Sequence, residues 1–179
     1  MKFLKILIPI SILSLVFIFD YYNKYYKPNT SFEDESIFLY VIKDDSVGFR
    51  DSISKYIKSE KTFYKVARRL KYIENKKTGR FKINKGLGNN DIVNSLKFNN
   101  TPVNVTFNNQ ERIENLAGRV SKQIYEDSLS LISAFKDQEF LKKNGLNEKN
   151  VLSIFIPNSY NIYWNTTSED FRDRMLEEY

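Results

Sequence analysis

From Ile6 to Phe19 the chain carries no charge, and only Pro9, Ser11 and Ser14 interrupt its apolar residues. Such a stretch is most simply satisfied as a hydrophobic helix, because a helix closes its own backbone hydrogen bonds. Counted from Phe3 it is about seventeen residues, the short end of what spans a hydrocarbon core of roughly 30 Å at 1.5 Å per residue. A cleaved leader would end in small residues, whereas this run ends in Phe17-Ile18-Phe19-Asp20-Tyr21-Tyr22. The sequence therefore predicts an uncleaved transmembrane helix. Tyr21, Tyr22, Tyr25 and Tyr26 suit an interfacial aromatic belt, and Lys2 and Lys5 favour a cytoplasmic amino terminus.

The chain has neither cysteine nor histidine. That removes Cys/His metal sites, thiol nucleophiles, Ser-His dyads and disulfides from consideration, and no cofactor or metal is expected. Chemistry, if present, has to use carboxylates, Lys, Tyr or the backbone. A net charge of +6 arises from 28 basic and 22 acidic residues that are interspersed, which reads as a solvated surface and not as a nucleic-acid partner site.

After the apolar run, Lys27-Pro28-Asn29-Thr30-Ser31 has the composition of a linker. Ile37 to Ile42 is β-branched and aromatic, as a strand would be. Val47, Phe49, Ile53, Tyr56 and Ile57 recur at helical spacing with Ser46 as a cap, and Phe63, Val66, Ala67 and Leu70 repeat the pattern. Gly79 to Ile83 alternates as a strand. Gly86-Leu87-Gly88 lacks the third glycine of a phosphate-binding fingerprint, so a turn into a helix through Ile92, Val93 and Leu96 accounts for it. Thr101-Pro102 then opens a second unit. Its expected elements are a strand at Val103 to Phe107, a helix capped by Asn108 that carries Ile113, Leu116, Ala117, Val120 and Ile124, and helices starting at Asp127 and Asp137, with a stop at Gly145. Val151 to Ile156 is β-prone. Pro157-Asn158-Ser159 turns it into Tyr160 to Trp164, and a helix capped at Thr167 to Asp170 carries Phe171 and Met175 to Tyr179, so that the chain reads as cut within an element.

Several strings taken together resemble the endolytic murein transglycosylases of the YceG-like (MltG) family. Gly79-Arg80-Phe81-Lys82-Ile83, Gly86 and Asp91-Ile92-Val93-Asn94-Ser95-Leu96 are similar to its "G-Y-x-I, G, I-x-x-L" region. Val103 to Gln110 resembles its strand-to-helix entry, and Phe155-Ile156-Pro157-Asn158-Ser159-Tyr160 its "F-x-P-D-T-Y" motif. Leu152 and Ser153 replace a common Glu-Gly, and Asn158 and Ser159 replace Asp and Thr, as in a Bacteroidetes-like branch. The resemblance implies an α+β fold in three parts: residues 1–30 as membrane anchor and linker, 31–101 as a small LysM-like α/β unit, and 102–179 as the incomplete amino-terminal part of a catalytic domain. It also implies a single-pass protein of the bacterial inner membrane with its folded part in the periplasm. Glycan strands of peptidoglycan would be its substrate, the inner membrane its support and peptidoglycan synthases its candidate partners.

A lytic transglycosylase needs one carboxyl group that protonates the glycosidic oxygen and then assists the sugar's own 6-hydroxyl, with its pKa raised toward the working pH. In this family the glutamate lies in an "A-S-I-x-x-K-E-T" motif, and no such string occurs here. No catalytic residue is assigned, and the chain alone is expected to be inactive. Glu111, Glu114, Glu126, Asp127, Asp137 and Glu139 read as helix-start and surface carboxylates. Tyr160, Tyr163 and Trp164 are the candidates for stacking on sugar rings, with Asn158 and Ser159 as hydrogen-bonding neighbours. The alternative is a non-catalytic peptidoglycan-binding module.

Overall fold

The computed structural model describes residues 2–179, with side chains described from Pro9 onward. The chain divides into two compact units, Met1–Asn100 and Thr101–Tyr179. Each is built on a two-stranded antiparallel sheet whose inner face is covered by helices, so the architecture is α+β.

The first unit opens with helix α1 (Lys2–Tyr25). Among the described residues no helix is long and apolar enough to cross a membrane. This overturns the expected transmembrane anchor and the inner-membrane placement drawn from it. The final turns of α1 are polar and engaged with protein. Lys24 pairs with Asp20 along the helix, Tyr21 stacks on Tyr25 with centroids 4.4 Å apart, and Tyr25 packs against the unit's core.

Strands β1 (Ser36–Val41) and β2 (Gly79–Asn84) pair with Leu39 opposite Phe81 and Ile37 opposite Ile83. A period of two turns Leu39, Val41, Phe81 and Ile83 inward. Against them lie α2 (Ser46–Tyr56), α3 (Glu60–Arg69), a 3-10 turn at Ile73–Asn75 and α4 (Asn89–Phe98). Phe49, Ile53, Phe63, Val66, Ile92 and Leu96 complete the core at helical spacing. The cap of α2 is Asp45, whose carboxylate accepts from the Gly48 amide at 2.8 Å, and not the expected Ser46. Gly86 turns the chain with φ of 81°. The segment 27–31 is paired, not free: Pro28 bridges Gly88 and Thr30 bridges Ile57.

In the second unit β3 (Pro102–Phe107) pairs with β4 (Asn158–Tyr163), Val105 opposite Tyr160 and Val103 opposite Ile162. Helices α5 (Ile113–Val120), α6 (Ser128–Phe135), α7 (Gln138–Lys143) and α8 (Ser168–Glu178) enclose a core that includes Phe107, Leu116, Phe135, Phe155, Phe171 and Met175. Asp127, Asp137 and Thr167 accept from amides three residues on and so start α6, α7 and α8. Two local expectations are corrected. Asn108 does not cap α5: its side chain accepts from Gln110, and Arg112 occupies the cap position with no side-chain bond. Nor is Val151 to Ile156 a strand. It makes a 3-10 turn, Val151–Ile154, because Val151 and Ile154 are the residues that must be buried and a 3-10 turn aligns positions three apart, whereas a strand would drive Ser153 inward.

Candidate functional site

The register of β3 and β4 sorts the expected binding residues onto different surfaces. Alternation along β4 sends Tyr160 and Ile162 into the core and leaves Ser159, Asn161 and Tyr163 exposed. Opposite these three stand Thr106, Asn104 and Pro102. The outer face of the strand pair is therefore a ladder of small polar side chains ending in a tyrosine. Ser159 and Thr106 are linked hydroxyl to hydroxyl at 2.7 Å across the strands.

Gln123 closes the free edge of this face. Its carbonyl oxygen accepts from the Thr106 amide at 2.9 Å and its NH2 donates to the Thr106 carbonyl at 3.0 Å, so a side chain takes the place of a third strand. At the start of β4 the Asn158 side chain accepts from the Ser159 amide at 2.8 Å, which turns the carboxamide back on its own backbone.

Tyr160 is a core residue. Its ring stacks on Phe107 with centroids 5.5 Å apart, and its hydroxyl donates to the Ile156 carbonyl. Burial pushes its phenol up, and the Glu178 charge pushes in the same direction. Tyr163 is about half exposed, at 52%. Trp164 follows the strand with its ring 5.1 Å from Tyr125 and its carbonyl accepting from the Tyr125 amide. The structure thus brings Ser159 and Tyr163 onto one surface, places Trp164 beside its end and sends Tyr160 inward. Sequence reasoning had not singled out Asn104, Thr106, Asn161 or Gln123. The alternation in Val103 to Phe107 was the signal for the first two, while Gln123 had none.

Four carboxylates of this unit are occupied with structure. Asp127 and Asp137 cap helices, Glu126 accepts from the Ser168 hydroxyl at 3.0 Å, and Glu114 holds Lys136 at 2.8 Å. The Lys136 hydrogen bond holds the Glu114 carboxyl below its ordinary range, and the Ser130 amide does the same for Asp127. Among the described residues no group of three metal-ligating acidic side chains comes together. What the outer face offers is hydroxyl and amide groups in a shallow, period-two array beside aromatic rings, an arrangement that can hydrogen-bond and stack on a hydroxyl-rich ligand.

Fold and face define a two-unit α+β protein whose second unit presents a polar strand pair. Residues 50–179 match the model of the YceG-like family, and the chain belongs to that family. Compared with the curated proteins, it has no match. A crystal structure of a yceG-like protein from Listeria monocytogenes is similar at 12% identity with a TM-score of 0.40, the match covering 82% of this chain and 55% of that one. The chain thus spans about half the length of that solved relative.

Proposed function

We propose that this chain is part of a lytic transglycosylase that cleaves peptidoglycan glycan strands to 1,6-anhydromuramyl ends, with its second unit binding the strand and the carboxyl chemistry supplied outside these residues. The family match over residues 50–179 carries the proposal. The polar outer face of β3 and β4 supports the binding half of it, because hydroxyl and amide rungs spaced along a strand match the repeating polar edge of a glycan chain. In this reading the first unit is a LysM-like module that holds the same polymer.

Three carboxylates are poor candidates for a glycosidic acid. Glu33, Glu114 and Asp127 all have their pKa lowered by hydrogen-bond partners, led by Lys85, Lys136 and the Ser130 amide respectively. A glycosidic general acid requires the opposite shift. A non-catalytic peptidoglycan-binding module is accordingly the second reading.

The test uses purified insoluble peptidoglycan. The chain should co-sediment with it and release no anhydro-muropeptides, and a chain extended to the full relative's length should release them. Failure of the extended protein to form anhydro ends would refute the transglycosylase reading, and failure of both proteins to sediment would refute binding.

A further inference from the structure

We propose that a cavity in the first unit, between α2, α3 and the turn after α3, binds an acidic group, a carboxylate or a phosphate carried by a small ligand. The cavity holds about 350 Å³, and Phe49, Arg50, Tyr64, Arg68, Ile73 and Lys76 line it. That volume is at the lower end of small-molecule sites. Of the lining side chains, which also include Ser46, three are cationic and none is acidic, in a chain whose charges elsewhere are interspersed.

Lys76 is the strongest single observation. It is only 8% exposed, and among the described residues no carboxylate pairs with it. Its recorded contact is with the face of Phe49, where the ammonium sits 4.9 Å from the ring centroid. The lysine is largely buried along its stem, and its ammonium has no carboxylate partner, which leaves that charge to be solvated by water or by an anion in the cavity. Arg68 lies over the Tyr64 ring at 5.9 Å, which fixes its stem beside the same space. The charges of Arg50 and Arg68 both act at the Tyr64 phenol, as does that of Glu60 from the first turn of α3. The nearby Asp45 carboxylate is occupied in capping α2. The Tyr72 ring packs 6.0 Å from Phe49, and its hydroxyl is buried with no hydrogen-bond partner among the described residues. The cavity therefore offers an apolar wall, two arginine side chains and a lysine ammonium. This is the donor set for a planar or tetrahedral anion attached to a small apolar or sugar body.

The inference does not rest on the strand-binding face of the second unit, although the cavity lies in the unit read above as LysM-like, so either can fail while the other stands. Backbone amide spectra of the full chain are recorded during titration with sodium phosphate, with N-acetylmuramic acid as a carboxylate-bearing sugar, and with neutral N-acetylglucosamine, all at matched ionic strength with chloride. At least one acid should give saturable shifts at residues 46–50, 64–68 and 73–76, and the neutral sugar should not. Which acid saturates assigns carboxylate or phosphate as the ligand group. The exposed double substitution Arg50→Gln with Arg68→Gln, and separately Lys76→Met, which keeps the buried stem, should each weaken that binding at least tenfold without moving amides outside the cavity. Absence of saturable shifts overturns the proposal, as do equal shifts with the neutral sugar or unchanged binding in the arginine double variant.

Discussion

The side-chain amide of Asn29 donates to the side-chain oxygen of Asn89 at 2.6 Å, joining two buried residues from segments that the sequence keeps 60 positions apart. Around that bond the Asn29 oxygen accepts from the Ser59 amide, its NH2 also reaches the Ser59 carbonyl, and the Asn89 NH2 donates to the Lys24 carbonyl. One polar node thus ties the end of α1, the 27–31 segment, the start of α3 and the start of α4. Replacing Asn89 with Ala strands the Asn29 donor and the Lys24 carbonyl in a buried site, and should destabilise the unit by about 1–3 kcal/mol. Denaturant unfolding measures it, and a loss well under 0.5 kcal/mol would show the node to be dispensable.

Gly88 makes the same junction possible by close approach. A Cβ there would meet the Tyr26 carbonyl carbon and oxygen at 2.6 Å and the Tyr25 oxygen at 2.7 Å, all backbone atoms that cannot swing aside. Gly88→Ala should therefore cost roughly 1–3 kcal/mol and raise amide exchange at Tyr25 to Asn29. Unchanged exchange there would mean that the helix end is not held as described.

Phe171 is fully buried in the second unit, with ring centroids 6.1 to 6.5 Å from those of Phe107, Phe135 and Phe155. Phe171→Ala leaves a cavity among aromatic rings that have little room to collapse, and should destabilise that unit by about 3–5 kcal/mol. Thermal or denaturant melting decides it, a loss below about 1 kcal/mol counting against this packing.

Acid should weaken the fold from the carboxylate side. Glu33, Glu114 and Asp127 have folded pKa values lowered from their ordinary ones, so the stability they contribute is present above the unfolded values near 4 and is lost as pH falls through the folded ones. Stability should be level between about pH 7 and 5 and decline below about pH 4. Asp127→Asn with Glu114→Gln, which keeps a cap at α6, should flatten that decline. An identical acid slope in the double variant would remove these two groups as its cause.

On the outer face of β3 and β4, Tyr163→Ala should weaken sedimentation with peptidoglycan by about tenfold if its ring stacks on sugar, the equivalent of about 1.4 kcal/mol. Tyr160→Phe, which changes only a hydroxyl bonded inside the unit, should leave binding unchanged while lowering stability. The reverse pattern would move the binding surface elsewhere.

Much of the secondary structure was legible because it is written in local chemistry. Leu39 and Val41 alternate with Phe38 and Tyr40, Asp127 and Asp137 stand where helices must begin, and Gly145 stops α7 with φ of 68°. The errors fell where local signals competed. Asn108 had the spacing of a cap, but Gln110 engaged its side chain first. Val151 to Ile156 had strand composition, but which of its residues face the core was set by the helices packed on it.

By itself the sequence determined most of the helices and strands, the exclusion of thiol and imidazole chemistry within this chain, and the motifs that mark the family. Periodicity, caps and residue inventory are properties of neighbours along the chain, so no folding is needed to read them. Only the tertiary structure decided that segment 27–31 is bound by a buried polar node, that the end of α1 packs against the first unit's core, and that of the two neighbouring tyrosines Tyr160 points inward and Tyr163 outward. Those outcomes depend on strand register and on contacts between residues distant along the chain, where shifting a strand by a single residue exchanges its buried and exposed faces.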